Sequence, residues 1–111
     1  VKPLKSKKDS GEPKATVFGF GFYRREQWPL LLETAEDRAE LEDTYEEWLQ
    51  NLKKSLKNMC SLGVEPLRVD IDMNEFLAWC EAKSRKRNGE SRAEFITELL
   101  RQGRGRLFDV S

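Results

Sequence analysis

Phe18, Phe20 and Phe22 alternate with Gly19 and Gly21, and no other stretch of this chain restricts its fold so tightly. A strand repeats every two residues, so the three rings share one face and the two glycines share the other. Glycine inside a strand weakens it unless something packs closely into the gap left by the missing side chain. The bare face is therefore expected to meet another backbone or a helix, within a strand over residues 15–23.

Most of the chain beyond that strand reads as helix. Trp28, Leu31 and Leu32 face inward from a short helix over residues 26–34, with Pro29 tolerated in its first turn, where no amide donor is needed. Residues 37–43 are acidic and fit either a continuing helix or a turn. Thr44 and Glu47 have capping-box spacing, and Trp48, Leu49, Leu52, Leu56 and Met59 form a helical stripe that stops before Gly63. A second strand, residues 67–71, alternates apolar and polar residues. Two further capping boxes come after it, Asp72 with Glu75 and Ser91 with Glu94. They predict one helix buried through Phe76, Leu77 and Cys80 and ended by Asn88-Gly89. A second helix, residues 92–102, is buried through Phe95, Ile96, Leu99 and Leu100.

The fold class expected is α+β and helix-rich, in the order β-α-α-β-α-α. Residues 15–103 form the single domain, residues 1–14 a disordered basic arm and residues 104–111 a flexible tail. Two strands alone are marginal in water, so they need a helical cover or a second chain joined across a two-fold axis. A homodimer is the expected assembly.

Charged residues make up 36% of the chain, against about 25% in ordinary domains, which fits a heavily solvated helical protein. Net charge is zero, so there is no global attraction to nucleic acid or an acidic membrane. The charge is uneven: residues 1–14 carry +3, 15–50 carry −6, 51–80 balance and 81–111 carry +3. There is no histidine, which removes the commonest general base and transition-metal ligand. Cys60 and Cys80 each fall in an apolar helical stripe and are expected to be buried thiols in a reducing cytoplasm. No stretch approaches the roughly 18 continuous apolar residues of a membrane span. No cofactor and no metal are expected, and the protein is expected not to be an enzyme.

Asp70 and Asp72 would project from one strand face, about 6.5–7 Å apart. Such a pair could hold Mg²⁺ or exchange a proton, although Asp72 is better explained as a helix cap. The glycine-phenylalanine run lacks the third glycine of a dinucleotide fingerprint. It is similar to the middle of the RNA-recognition octapeptide, but Phe18 stands at the leading basic position and Arg25 at the trailing aromatic one. Glu40, Glu42, Asp43, Glu46 and Glu47 make an acidic face suited to a basic protein partner.

Residues 67–102 resemble the ribbon-helix-helix family of small bacterial DNA-binding proteins, which includes many antitoxins. The likeness rests on the alternating strand, the acidic start of the first helix, the Asn88-Gly89 break and Ser91-Arg92-Ala93-Glu94-Phe95-Ile96 opening the second helix. It implies two chains pairing these strands antiparallel, with strand side chains in the major groove and a helix N-terminus on phosphate. On this chain Arg68, Asp70 and Asp72 would face bases and Ser91 and Arg92 a phosphate, with Arg85, Lys86 and Arg87 adding basic contacts. Two carboxylates on the reading face oppose that use. The leading expectation is a non-enzymatic, homodimeric interaction protein acting through its charged helical faces; a ribbon-helix-helix-like DNA-binding regulator is the alternative.

Overall fold

A computed structural model of the chain describes residues 16–108. The expected basic arm, residues 1–14, lies outside them. Strand β1 (Thr16–Phe22) leads through a 3₁₀ turn (Arg25–Gln27) into α1 (Trp28–Thr34). A second 3₁₀ turn (Arg38–Glu40) precedes α2 (Tyr45–Ser61), β2 (Val64–Asp70), α3 (Met73–Lys83), α4 (Gly89–Arg101) and β3 (Gly105–Leu107). No helix among the described residues is long and apolar enough to cross a membrane.

The sheet order is β1-β2-β3. β1 and β2 are parallel, with Gly19 beside Leu67 and Gly21 beside Val69, whereas β2 and β3 are antiparallel, with Arg68 beside Arg106. Parallel neighbours cannot be joined by a tight turn, and α1 with α2 supplies the crossover. The expected α+β class holds, but two strands become three. Gly105–Leu107, read from the sequence as part of a flexible tail, pairs along β2 within the same chain. Three residues with one apolar side chain carry almost no strand signal of their own, so only the waiting edge of β2 selects this conformation.

The glycine face is covered as the alternation requires. A methyl group placed on Gly19 would lie 2.7 Å from Leu100 Cδ1, and one on Gly21 would lie 2.9 Å from Ile96 Cδ1. Gly105 on β3 has the same relation to Leu100, at 2.5 Å. Helix α4 thus lies directly on the backbone. On the opposite face α2 covers the sheet, and Trp48 meets Phe22 with ring centroids 5.6 Å apart. The main core runs from Val69, Ile71, Met73, Phe76, Phe95 and Leu99 to Trp28, Leu31 and Tyr45.

Local signals place most helix ends. Thr44 Oγ1 accepts from the Glu47 N–H at 3.1 Å and Glu47 Oε1 from the Thr44 N–H at 3.2 Å, completing the capping box. Gly63 and Gly103 take the left-handed conformation after α2 and α4. Asp72 Oδ1 caps α3 by accepting from the amides of Asn74 and Glu75. Its expected reciprocal partner, Glu75, instead makes a two-bonded ion pair with Arg104, each bond 2.9 Å.

The boundary between α3 and α4 differs from the sequence expectation. Helix α3 stops at Lys83 with Ser84 left-handed, and Asn88-Gly89 begins α4 instead of ending α3. Asn88 Oδ1 caps α4 by accepting from the Ser91 N–H at 3.0 Å, so Ser91 is buried in the first turn and is not the cap. Asn and Ser cap helices about equally well, and tertiary contacts decide between them. Cys80 is buried as expected, which pushes its thiol pKa up, but Cys60 is exposed near the end of α2.

Gly21→Val favours a strand by intrinsic propensity but drives a side chain into Ile96 and Ile71. It is expected to lower unfolding free energy by about 1–3 kcal/mol. Urea denaturation checks the sign; unchanged or increased stability would contradict the close seat of α4.

Candidate functional site

Among the described residues β1 is hydrogen-bonded along one side only. Phe22 O accepts from the Ile71 N–H at 3.0 Å, so the main-chain groups of Phe18, Phe20 and Phe22 turn toward β2. Backbone groups alternate along a strand, so those of Val17, Gly19 and Gly21 turn outward. Among the described residues no strand pairs with that side. The two sheet edges differ sharply. The outer edge is short, carries Arg106 and continues past Pro66, which has no donor; these are the usual devices that blunt an edge. Seven-residue β1 has neither charge nor proline.

That open edge is the floor of a groove of about 680 Å³. Ala93, Ile96 and Leu100 of α4 form one wall; Leu41, Glu42 and Trp48 form the other. Val17 and Phe18 are 51% and 49% exposed, an unusual state for large apolar residues on a sheet. The elements that shape the groove are tied down on each side. Tyr45 donates its hydroxyl proton to Tyr23 O at 2.6 Å, joining the start of α2 to the chain just after β1. Burial pushes the Tyr23 phenol up to about 12 despite the nearby Arg92 charge, with Asp37 adding to the rise, so the ring stays neutral.

Arg92, one of the groove-lining residues, pairs with Asp37 behind it. Their charged groups meet at 2.6 Å with side chains 12% and 14% exposed, and the same Asp37 oxygen accepts from the Gly89 N–H at 3.0 Å. Burial alone would raise the Asp37 carboxyl; the Arg92 hydrogen bond and charge, with the Gly89 amide, outweigh it and hold the pKa below its ordinary value. Around this pair the Arg87 side chain donates to Thr34 O and the Arg87 carbonyl accepts from the Glu36 N–H, each at 2.8 Å. Trp28 Nε1, Asp37 Oδ1 and Arg92 Nη1 are buried here without a hydrogen-bond partner.

The residues expected to meet DNA are dispersed and engaged. Arg68 lies over the Phe22 ring, 3.9 Å from its centroid, and donates to Asp70 at 2.7 Å. Arg85 pairs with Glu94, Arg87 with the loop after α1, and Lys86 is exposed. Ser91 is buried and Arg92 is neutralised by Asp37. A carboxylate therefore stands where the family resemblance puts a phosphate. The strand of that resemblance, β2, is bonded on both sides within the chain, so its ladder is already occupied by β1 and β3.

The carboxylates are equally engaged. Asp70 sits between Arg68 and Arg106, while Asp72 lies beyond the end of β2 and caps α3. No cluster of three metal-ligating side chains occurs among the described residues. Of the acidic face, Glu42 accepts from Asn51, Asp43 pairs with Arg38, Glu46 with Arg25 and Glu47 closes the capping box, leaving Glu40 exposed. Only Glu42 of these residues lines the groove beside β1. The strand itself was readable from the sequence as an uncharged stretch over residues 15–23, but which of its edges stays free depends on which side β2 takes.

Removing Asp37 leaves the Arg92 charge buried, and Asp37→Ala is expected to cost about 3 kcal/mol. Because the folded-state pKa is depressed, the contribution is complete above the unfolded value of about 3.9 and is lost as pH falls through the lower folded value. Chemical denaturation between about pH 5 and pH 2.5 should show a steeper loss for the native chain than for Asp37→Asn. Parallel curves would contradict the assignment.

No family model, curated protein or solved structure matches this chain.

Proposed function

We propose that this is a non-catalytic interaction protein that binds by strand addition: an extended apolar segment pairs with the outer edge of β1. The row of N–H and C=O groups at Val17, Gly19 and Gly21, left unpaired among the described residues, carries this reading. Main-chain bonds along such a row supply affinity, and pockets for alternate side chains supply selectivity. The exposed Val17 and Phe18 and the apolar walls around them supply the contact area. Glu42 and the neutralised Arg92 are the charged groups of the groove, so an uncharged segment suits it. Among the described residues the arginines, by contrast, are spread around the molecule and mostly paired with acids, so they form no continuous track for phosphates.

A fluorescent peptide carrying residues 16–22 between terminal lysines tests the edge directly. Fluorescence anisotropy should show saturable binding to the full chain. Val17→Pro removes one outward donor without touching a bond to β2, and is expected to weaken binding at least about tenfold. Equal binding by the variant, or absence of binding by a chain that is monomeric in solution, would overturn strand addition at β1.

A further inference from the structure

Building on strand addition as the mode of binding, we infer that the occupant of the groove is β1 of a second copy of this chain, running antiparallel across a two-fold axis. An axis perpendicular to the sheet places identical strands side by side in opposite directions. The result is a continuous six-stranded sheet in the order β3-β2-β1-β1-β2-β3.

The side-chain pattern of β1 complements itself under that operation. The outward main-chain groups belong to Val17, Gly19 and Gly21. In an antiparallel ladder the residues that exchange bonds lie opposite one another, so these odd-numbered positions must face odd-numbered positions. In the register that sets Phe20 opposite Phe20, Phe18 faces Phe22 and every phenylalanine of β1 meets one of the other copy. Aromatic pairs directly across strands are among the favourable ones. Phe18 and Phe20 already touch at 4.9 Å between centroids, and Phe18 remains half exposed. In that register Gly19 faces Gly21 on the other face, so neither position places a side chain against Ile96 and Leu100 of either α4.

Charge favours the same occupant. β1 is uncharged, as the groove floor is.

The test is the mass of the full chain in solution at micromolar concentration, by sedimentation equilibrium. The expected value is about twice 13.0 kDa for the native chain. Val17→Pro and Phe18→Lys should each weaken the dimer at least about tenfold while keeping a native far-ultraviolet circular dichroism spectrum. Amide exchange at Gly19 and Gly21 should slow as concentration rises. A native monomer overturns the inference, as does a dimer that both folded variants leave intact. A monomer that still binds the residue 16–22 peptide leaves strand addition standing and points to a foreign segment; a monomer that binds no peptide overturns both.

Discussion

Everything else in this molecule is arranged around the direct seat of α4 on the backbone of β1. The approach is possible only because Gly19 and Gly21 leave nothing between Ile96, Leu100 and the main chain. Once α4 lies there, Phe95 and Leu99 on the same helix reach Phe76 and Val69 in the core. The phenylalanine face is then left for α2, whose Trp48 gathers Phe22, Tyr23, Trp28 and Tyr45 into one aromatic cluster. A strand with side chains on both faces would hold α4 farther out, and the wall it forms beside the β1 edge would not exist.

Charge in this chain serves mainly to lock elements together. Arg92 and Asp37 join α4 to the crossover, Arg104 and Glu75 join the end of α4 to α3, and Asp70 draws Arg68 and Arg106 across β2 and β3. Of these only the Arg92–Asp37 pair is nearly buried, so it is the one whose loss leaves an uncompensated charge; the exposed pairs contribute little each. Among the described residues these pairs stitch a small three-layer fold together.

That arrangement leaves the two sheet edges unequal. The β3 side is short, charged and proline-limited, whereas β1 presents seven uncharged residues at the bottom of an apolar groove. Natural sheets guard exposed edges because a bare one pairs with whatever strand it meets. Guarding one edge and not the other, among the described residues, is the asymmetry on which the proposed strand addition at β1 rests.

Sequence alone determined what depends on near neighbours: the alternating faces of β1, the Thr44 capping box, the Asp72 cap, the apolar stripe of α2 and the helix stops at Gly63 and Gly103. These arise from periods of two and 3.6 residues and from bonds spanning three or four residues. Asn88-Gly89 was read from the sequence as a helix end and Ser91 as the cap of α4; Asn and Ser are equally good caps, and Asp37, far away in sequence, takes the Gly89 amide and so favours Asn88. Tertiary structure alone decided that β1 and β2 run parallel, that Gly105–Leu107 completes the sheet, and that Arg68, Arg87 and Arg92 are paired within the chain. The open edge belongs to the same class. A strand carries hydrogen-bonding groups on both sides, and only the position of its neighbours determines which side is left free.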